Sequence, residues 1–437
     1  MLSAFLNAFR TPDLRKKILF TLGILTVFRL GSSIPTPNVD TAAIRTCAEL
    51  ATTGQQAGMY SMINLFSGGA LLQLSIFALG IMPYITSSII LQLLTVVIPR
   101  LETLKKEGGA GREKITQYTR LLTIVLAVLQ ATSFTMLAVN GQLFQDCPDD
   151  IVYSTNIFPI VVMILTMTAG TSIIMWLGEL ITDRGVGNGM SVLIFTQIAA
   201  TFPAAMWNIR NGQPDPNQGL LVMLAVIVIG LFVMAGVVYV EQAQRRIPVQ
   251  YAKRMVGNRL LGGSSTYIPL KVNQSGVIPV IFASSILYLP VLFTMFQPTG
   301  RLAEWVAANL ATGTGLWYNI IFFTLIIFFA YFYVSITFDP VEISDNMKKY
   351  GGFIPGIRAG KPTEDYLAYV ISRLTAPGSL YLATISLIPS VAILWFNADQ
   401  NFPFGGTSLL IMVGVGLDTV KQIESQLHQR HYEGFLK

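Results

Sequence analysis

Two histidines, His428 and His431, stand three residues apart near the end of the chain, a spacing at which one helix face presents metal ligands. No cysteine lies nearby and the pair reads as part of a solvated tail, so no metal site is expected. Gly185, Gly187 and Gly189 fall within five residues and look superficially like a phosphate-binding loop. A phosphate cradle needs a strand before it and a Lys after it, and neither is present. The chain also lacks HExxH, Walker A and nucleophile-elbow sequences. Its two cysteines, Cys47 and Cys147, are too few for a disulfide framework or a cysteine-rich metal site, and leave open whether they pair. After the first long apolar run, none carries Lys, Arg, Asp, Glu or His in its interior. Proton relays and ion-coupled transporters need such groups. Enzyme and cofactor chemistry therefore have no residues to rest on, and none is expected.

The elements that hold these residues are membrane spans. Of 437 residues, 52% are hydrophobic and 12% charged, half the charge of a soluble domain at about 25%. Mean hydropathy is +0.58. Ten spans are expected, near residues 18–34, 75–98, 121–139, 152–176, 187–206, 219–240, 274–293, 317–338, 374–396 and 404–420, giving an all-α polytopic membrane protein. Arg15-Lys16-Lys17 before an apolar run imitates a signal peptide, but no clean cleavage site follows, so an uncleaved first helix is expected.

Orientation follows from Lys and Arg. With the N-terminus inside, about 25 of the 29 basic residues fall on the cytoplasmic side, and the opposite loops keep Arg45, Arg210 and Arg301. That asymmetry puts both termini in the cytoplasm and accounts for a pI near 9.2 without a nucleic-acid partner. Ten spans divide into residues 1–207 and 208–437, five each. The odd number makes the halves opposite in topology, as in inverted repeats. Two cytoplasmic segments, 241–271 and 339–373, exceed ordinary connectors and carry aromatics, Ile and Pro among their charges. Ordered, hairpin-like structure is expected in both, with Ile247–Tyr251 extended and turns near Gly257-Asn258 and Gly262-Gly263.

The stretch Ser67 to Pro99, SGGALLQLSIFALGIMPYITSSIILQLLTVVIP, joins two kinds of apolar segment. Residues 75–98 carry no charge and suffice to span the roughly 30 Å hydrocarbon layer as a helix. The piece before, about 62–73, is half as long, and such a segment is tolerated at membrane depth only inside protein or against a water-filled cavity. This stretch resembles the SecY family (SecY/Sec61-alpha, bacterial type), pore subunits of the protein translocon, at the plug and second transmembrane helix. FALGIMPYI, GNGMSVLIF, GVIPVIFASS and FGGTSLLIMV match in the family's order, and such blocks cover most of the chain. Met190 and Val192 depart from the commoner aliphatic choices.

The resemblance implies a protein-conducting channel of the general secretion pathway, passing unfolded chains across the cytoplasmic membrane and releasing transmembrane segments sideways. A pore ring maps onto Ile81, Ile85, Ile194, Ile281 and Ile411. An aliphatic constriction dewets when empty and yields around a chain. The plug maps onto Ile63, Asn64, Leu65, Phe66, Ser67, Gly68 and Gly69, with the glycine pair as hinge or close-packing point. A lateral gate between the second and third spans and the seventh and eighth makes Thr86, Ser87, Gln92, Asn273, Gln274 and Ser284 candidates, with ordinary helix-to-helix hydrogen bonding as the competing role. Arg245, Arg246, Lys253, Arg254, Lys348, Lys349 and Arg358 are expected to dock a cytosolic partner. Arg358 matches the family's loop arginine, although Ala359 stands where Pro is usual. Implied partners are SecE, SecG, the SecA motor ATPase, the ribosome, signal sequences with unfolded substrate chains, and membrane lipid. A small-solute transporter and an intramembrane protease are the rival classes. The first lacks intramembrane ionisable groups and the second any paired catalytic residues in the spans.

Overall fold

In the computed structural model the described residues are 11–44, 46–47, 69–71, 73–141, 151–211, 216–251, 254–256, 259–261, 265–296, 300–310, 315–396 and 406–433. The chain is mainly helical. In order come α1 (Pro12–Ser32), α2 (Met82–Val97), α3 (Pro99–Lys106), α4 (Gly109–Val139), α5 (Ile157–Arg184), α6 (Gly189–Asn211) and α7 (Pro216–Gln242). Four strands follow, β1 (Gln244–Tyr251), β2 (Arg254–Val256), β3 (Arg259–Leu261) and β4 (Ser265–Lys271). Then come α8 (Ile278–Phe296), α9 (Arg301–Asn309), α10 (Leu316–Thr337), α11 (Pro340–Lys349), β5 (Gly352–Phe353), α12 (Lys361–Phe396) and α13 (Gly406–Glu433).

Each expected span falls on one of these helices. Among the described residues, four helices are long and apolar enough to cross a membrane alone, or five if α2 and α3 count as one bent span. Residues 189–204 and 278–287 form shorter apolar helices. Exposed apolar surface is plainest on α7, where Leu221, Leu224, Val228, Ile229, Leu231 and Phe232 are all exposed.

The second span starts later than its apolar run. Residues 75–81 form turns, and the helix begins at Met82. Leu74 (φ 42°) and Gly80 (φ 55°) bracket the turns in the left-handed region, which a helix cannot include. The backbone bonds elsewhere: Thr36 N–H to the Leu74 carbonyl at 2.9 Å, Ile76 N–H to the Ile34 carbonyl at 2.9 Å. A Cβ on Gly170 of α5 would collide with the Ile76 carbonyl, so glycine there lets the irregular segment lie against the helix. Pro83 then starts α2 without forfeiting a helical N–H. At its other end Ile98, held extended before Pro99, terminates α2, and the chain bends by 100° into α3.

The two long segments expected to be cytoplasmic differ from each other. The first is the expected ribbon: β1 pairs antiparallel with β4 (Ile247 opposite Ile268), and β2 with β3 (Val256 opposite Arg259). Gly257, Asn258, Gly262 and Gly263 lie outside the described residues. The second departs from the hairpin expectation and is largely helical. Asp339 caps α11 by accepting from Val341 N–H (2.9 Å) and Glu342 N–H (3.3 Å), with Pro340 in the first turn and Lys348 and Lys349 in the last. The two segments meet: β5 pairs with β1 to complete a sheet of order β4-β1-β5. Ile247, Val249 and Leu270 from the ribbon share a buried core with Val334, Met347, Ile354, Leu367, Val370 and Ile371.

Helices near in sequence pack together, α4 against α2 and α5, and α10 against α8 and α12. α6 packs on α5, α7 and α13, while α2 touches α8. Cys47, buried on the side assigned as external, is disulfide-bonded. Cys147, the only other cysteine, lies outside the described residues.

Candidate pore, gate and cytoplasmic platform

Ile81 sits at the N-cap of α2 and Ile85 one turn on, so both face the same way. Ile194 lies in the second turn of α6 and Ile411 in the second turn of α13. All four are buried, at 2%, 8%, 6% and 1% exposure, in one apolar cluster, and Ile281 of α8 packs against it partly buried. The five proposed ring positions, on four helices, thus all belong to or pack against the large buried core that runs through most of the helices. The α5–α6 turn that aims Ile194 is tight: a Cβ on Gly189 would strike the Gly178 carbonyl, which explains the glycine-rich motif without any phosphate.

One turn past Ile194, Gln197 is 3% exposed and neither amide atom has a hydrogen-bond partner. A buried unpaired amide costs about 1–3 kcal/mol. The lone amide among mostly apolar residues of the span was the sequence signal for it.

Of the plug positions, Ile63, Asn64, Leu65, Phe66, Ser67 and Gly68 lie outside the described residues. Gly69 is a turn residue at φ 88°, a conformation that favours glycine. It borders a cavity of about 250 Å³ with Arg29, Ser32, Ser33 and Gln73.

The gate candidates separate into two groups. Thr86 donates to the Met82 carbonyl at 3.0 Å, Ser87 to Pro83 at 2.8 Å and Ser284 to Ile281 at 2.9 Å. Each hydroxyl is therefore satisfied within its own helix. Gln92 is half-buried on α2 and Gln274 half-buried in the turn before α8. Asn273, in the same turn, is held firmly. Its amide donates to the Glu241 carboxylate at 2.6 Å and to the Gly276 carbonyl at 3.1 Å, and its oxygen accepts from Ser275 at 3.0 Å. The end of α7 is thereby fastened to the start of α8, a connection through Glu241 that sequence reasoning missed.

Among the candidate docking residues, Arg245 and Arg246 are exposed on β1, and Arg246 lies over the Tyr267 ring at 4.8 Å. Arg254 falls on β2, and Lys253 is outside the described residues. Lys348 and Lys349 are exposed at the end of α11. Arg358 is exposed in the turn between Gly356 (φ 82°) and Gly360 (φ 103°). Thr363 donates to the Arg358 carbonyl at 3.0 Å and Ser344 to the Gly360 carbonyl at 2.9 Å, which fixes the turn that presents the arginine.

Comparison with known proteins agrees with this geometry. The SecY family model matches residues 75–420. The protein translocase subunit SecY of Streptomyces scabiei is 62% identical over 440 residues, covering all of both chains. That of Mycobacterium tuberculosis is 58% identical over 447 residues, again covering all of both. Among solved structures, a protein-conducting channel aligns with TM-score 0.61 at 19% identity, covering 94% of this chain and 91% of the other. Sec61 from the canine ribosome–channel complex of the endoplasmic reticulum aligns with TM-score 0.58 at 18% identity over the same shares. The chain belongs to the SecY family.

Proposed function

We propose that the chain is the channel subunit of a protein translocase, conducting unfolded polypeptides through the isoleucine cluster and releasing apolar segments between α2 and α8. The observation that carries this reading is that Ile81, Ile85, Ile194 and Ile411, from three separate helices, are buried in one apolar core, with Ile281 of a fourth packed against it. A constriction of this kind has no affinity for any one substrate and dewets when empty, as a conduit for arbitrary sequences requires. The ten-span, two-half architecture, a plug ending at Gly69 and a lateral gate belong to the same proposal. So does placement in the cytoplasmic membrane with both termini inside. The disulfide at Cys47 supports that orientation, since disulfides persist outside the reducing cytosol. No catalytic role is assigned. A partner supplies the energy: a SecA motor ATPase or a translating ribosome seated on the basic platform, with SecE and SecG as companion membrane subunits.

Reconstitution tests the reading. Proteoliposomes holding the chain with SecE and SecG, given SecA, ATP and a secretory precursor, are expected to protect the precursor from added protease. Uptake of small solutes without precursor protection would overturn the channel assignment.

A further inference from the structure

The two halves meet where α2 packs against α8, and the hydroxyls of Thr86, Ser87 and Ser284 bond within their own helices. At the cytoplasmic end of the same meeting line a polar bond crosses it. After the 100° bend, α3 carries Lys105 and Lys106 in its last turn. The Lys105 ammonium donates at 3.3 Å to the backbone carbonyl of Ile336, one residue from the end of α10. Lys106 is held instead by Glu102 of its own helix, at 2.7 Å.

The sequence explains why that carbonyl is available. Pro340 biases Asp339 to extended backbone, and with Phe338 and Asp339 both extended the helix stops before residue 340 could return a bond to the Ile336 carbonyl. The Val334 carbonyl already accepts from Phe338 N–H at 3.0 Å. The end of α10 therefore exposes an acceptor at the negative end of the helix dipole, and a lysine from the other half is a favourable partner. Asp339, within electrostatic reach of Lys106, adds to the attraction. The junction so held is also the root of α11, which leads into Lys348, Lys349 and Arg358.

We propose that Lys105 is a specificity-determining residue: its bond to the Ile336 carbonyl clasps the gate shut, and so sets how apolar a segment must be before it is released into lipid. This rests on the gate reading above. A chain segment that parts α2 from α8 at their cytoplasmic ends must break this contact, while one that stays in the pore need not. Segments of marginal hydrophobicity feel the clasp most.

The test measures membrane integration of a graded series of Leu/Ala segments, and transport of a secretory precursor, through the reconstituted complex. In Lys105→Ala the marginal segments are expected to integrate about two- to fivefold more, the range of one exposed charge–dipole contact, with precursor transport unchanged. Lys105→Arg keeps a donor and the wild-type threshold. Lys105→Met, which keeps much of the side-chain length but no donor, lowers the threshold as Lys105→Ala does. A wild-type threshold in Lys105→Ala, or a fall that Lys105→Met does not reproduce, overturns the clasp alone. Failure of the wild-type chain to release any segment overturns the gate reading and the clasp with it.

Discussion

The apolar cluster proposed as the constriction and the sheet-and-helix unit proposed as the docking platform are built on opposite principles. At the constriction, side chains from α2, α6, α8 and α13 meet through apolar contact, and nearby hydroxyls on α2 and α8 bond inside their own helices. The platform is stitched by a β-ladder, by Ser344 and Thr363 hydrogen bonds between its elements, and by a core of its own. Contacts of the first kind part and re-form with little penalty beyond hydration of the exposed surface. Contacts of the second kind hold shape under load. A yielding passage joined to a stiff handle suits a protein that must open for many chains and take its drive from outside.

The largest effect is expected where the apolar character is removed. Replacing Ile81 and Ile411 by Asn should wet the closed constriction and raise ion conductance in planar bilayers by on the order of tenfold, whereas Leu224→Asn on lipid-facing α7 should not. Equal conductance in both variants would erase the distinction between passage and wall. Next comes the joint between the two regions. Glu241→Ala leaves the buried Asn273 amide without its charged partner and should cost about 2–3 kcal/mol, read as a lower unfolding midpoint of the detergent-solubilised protein. Glu241→Gln, which retains an acceptor, should recover most of it.

On the platform, Arg358→Glu should reduce motor-stimulated transport several-fold while leaving resting conductance and the unfolding midpoint unchanged, because the side chain is exposed and the turn is held by Thr363 and Ser344. A change in resting conductance would mean that handle and passage are not separable. The smallest effect belongs to the gate hydroxyls. Ser87→Ala and Thr86→Val should shift stability by less than about 0.5 kcal/mol, since each hydroxyl serves only its own helix. A shift of several times that size would reveal a cross-helix partner and make the gate polar after all.

Much of this was legible in the sequence, for reasons that particular residues display. Apolar runs located the helices because membrane spans must satisfy their backbone internally. Ile247–Tyr251 announced a strand by its alternation. The late start of α2 was hidden because FALGIMP is apolar whether helical or not; the turns come from Leu74 and Gly80 and from bonds to residues 34–36. The helical second segment was signalled by Asp339-Pro340 with two lysines nine residues on, a cap pattern that its length and aromatics obscured. Glu241–Asn273 and Lys105–Ile336 lie 32 and 231 residues apart, and separations of that order leave no local trace.

The central claim is that translocating chains pass through the isoleucine cluster. A photo-crosslinking residue placed in turn at Ile85, Ile281 and Leu224 tests it, in the complex with SecE, SecG and SecA and with a precursor stalled by a folded C-terminal domain. ATP-dependent precursor adducts at Ile85 and Ile281, with none at Leu224, are the expected result. Adducts at none of the three, with assembly and stalling confirmed, would contradict it.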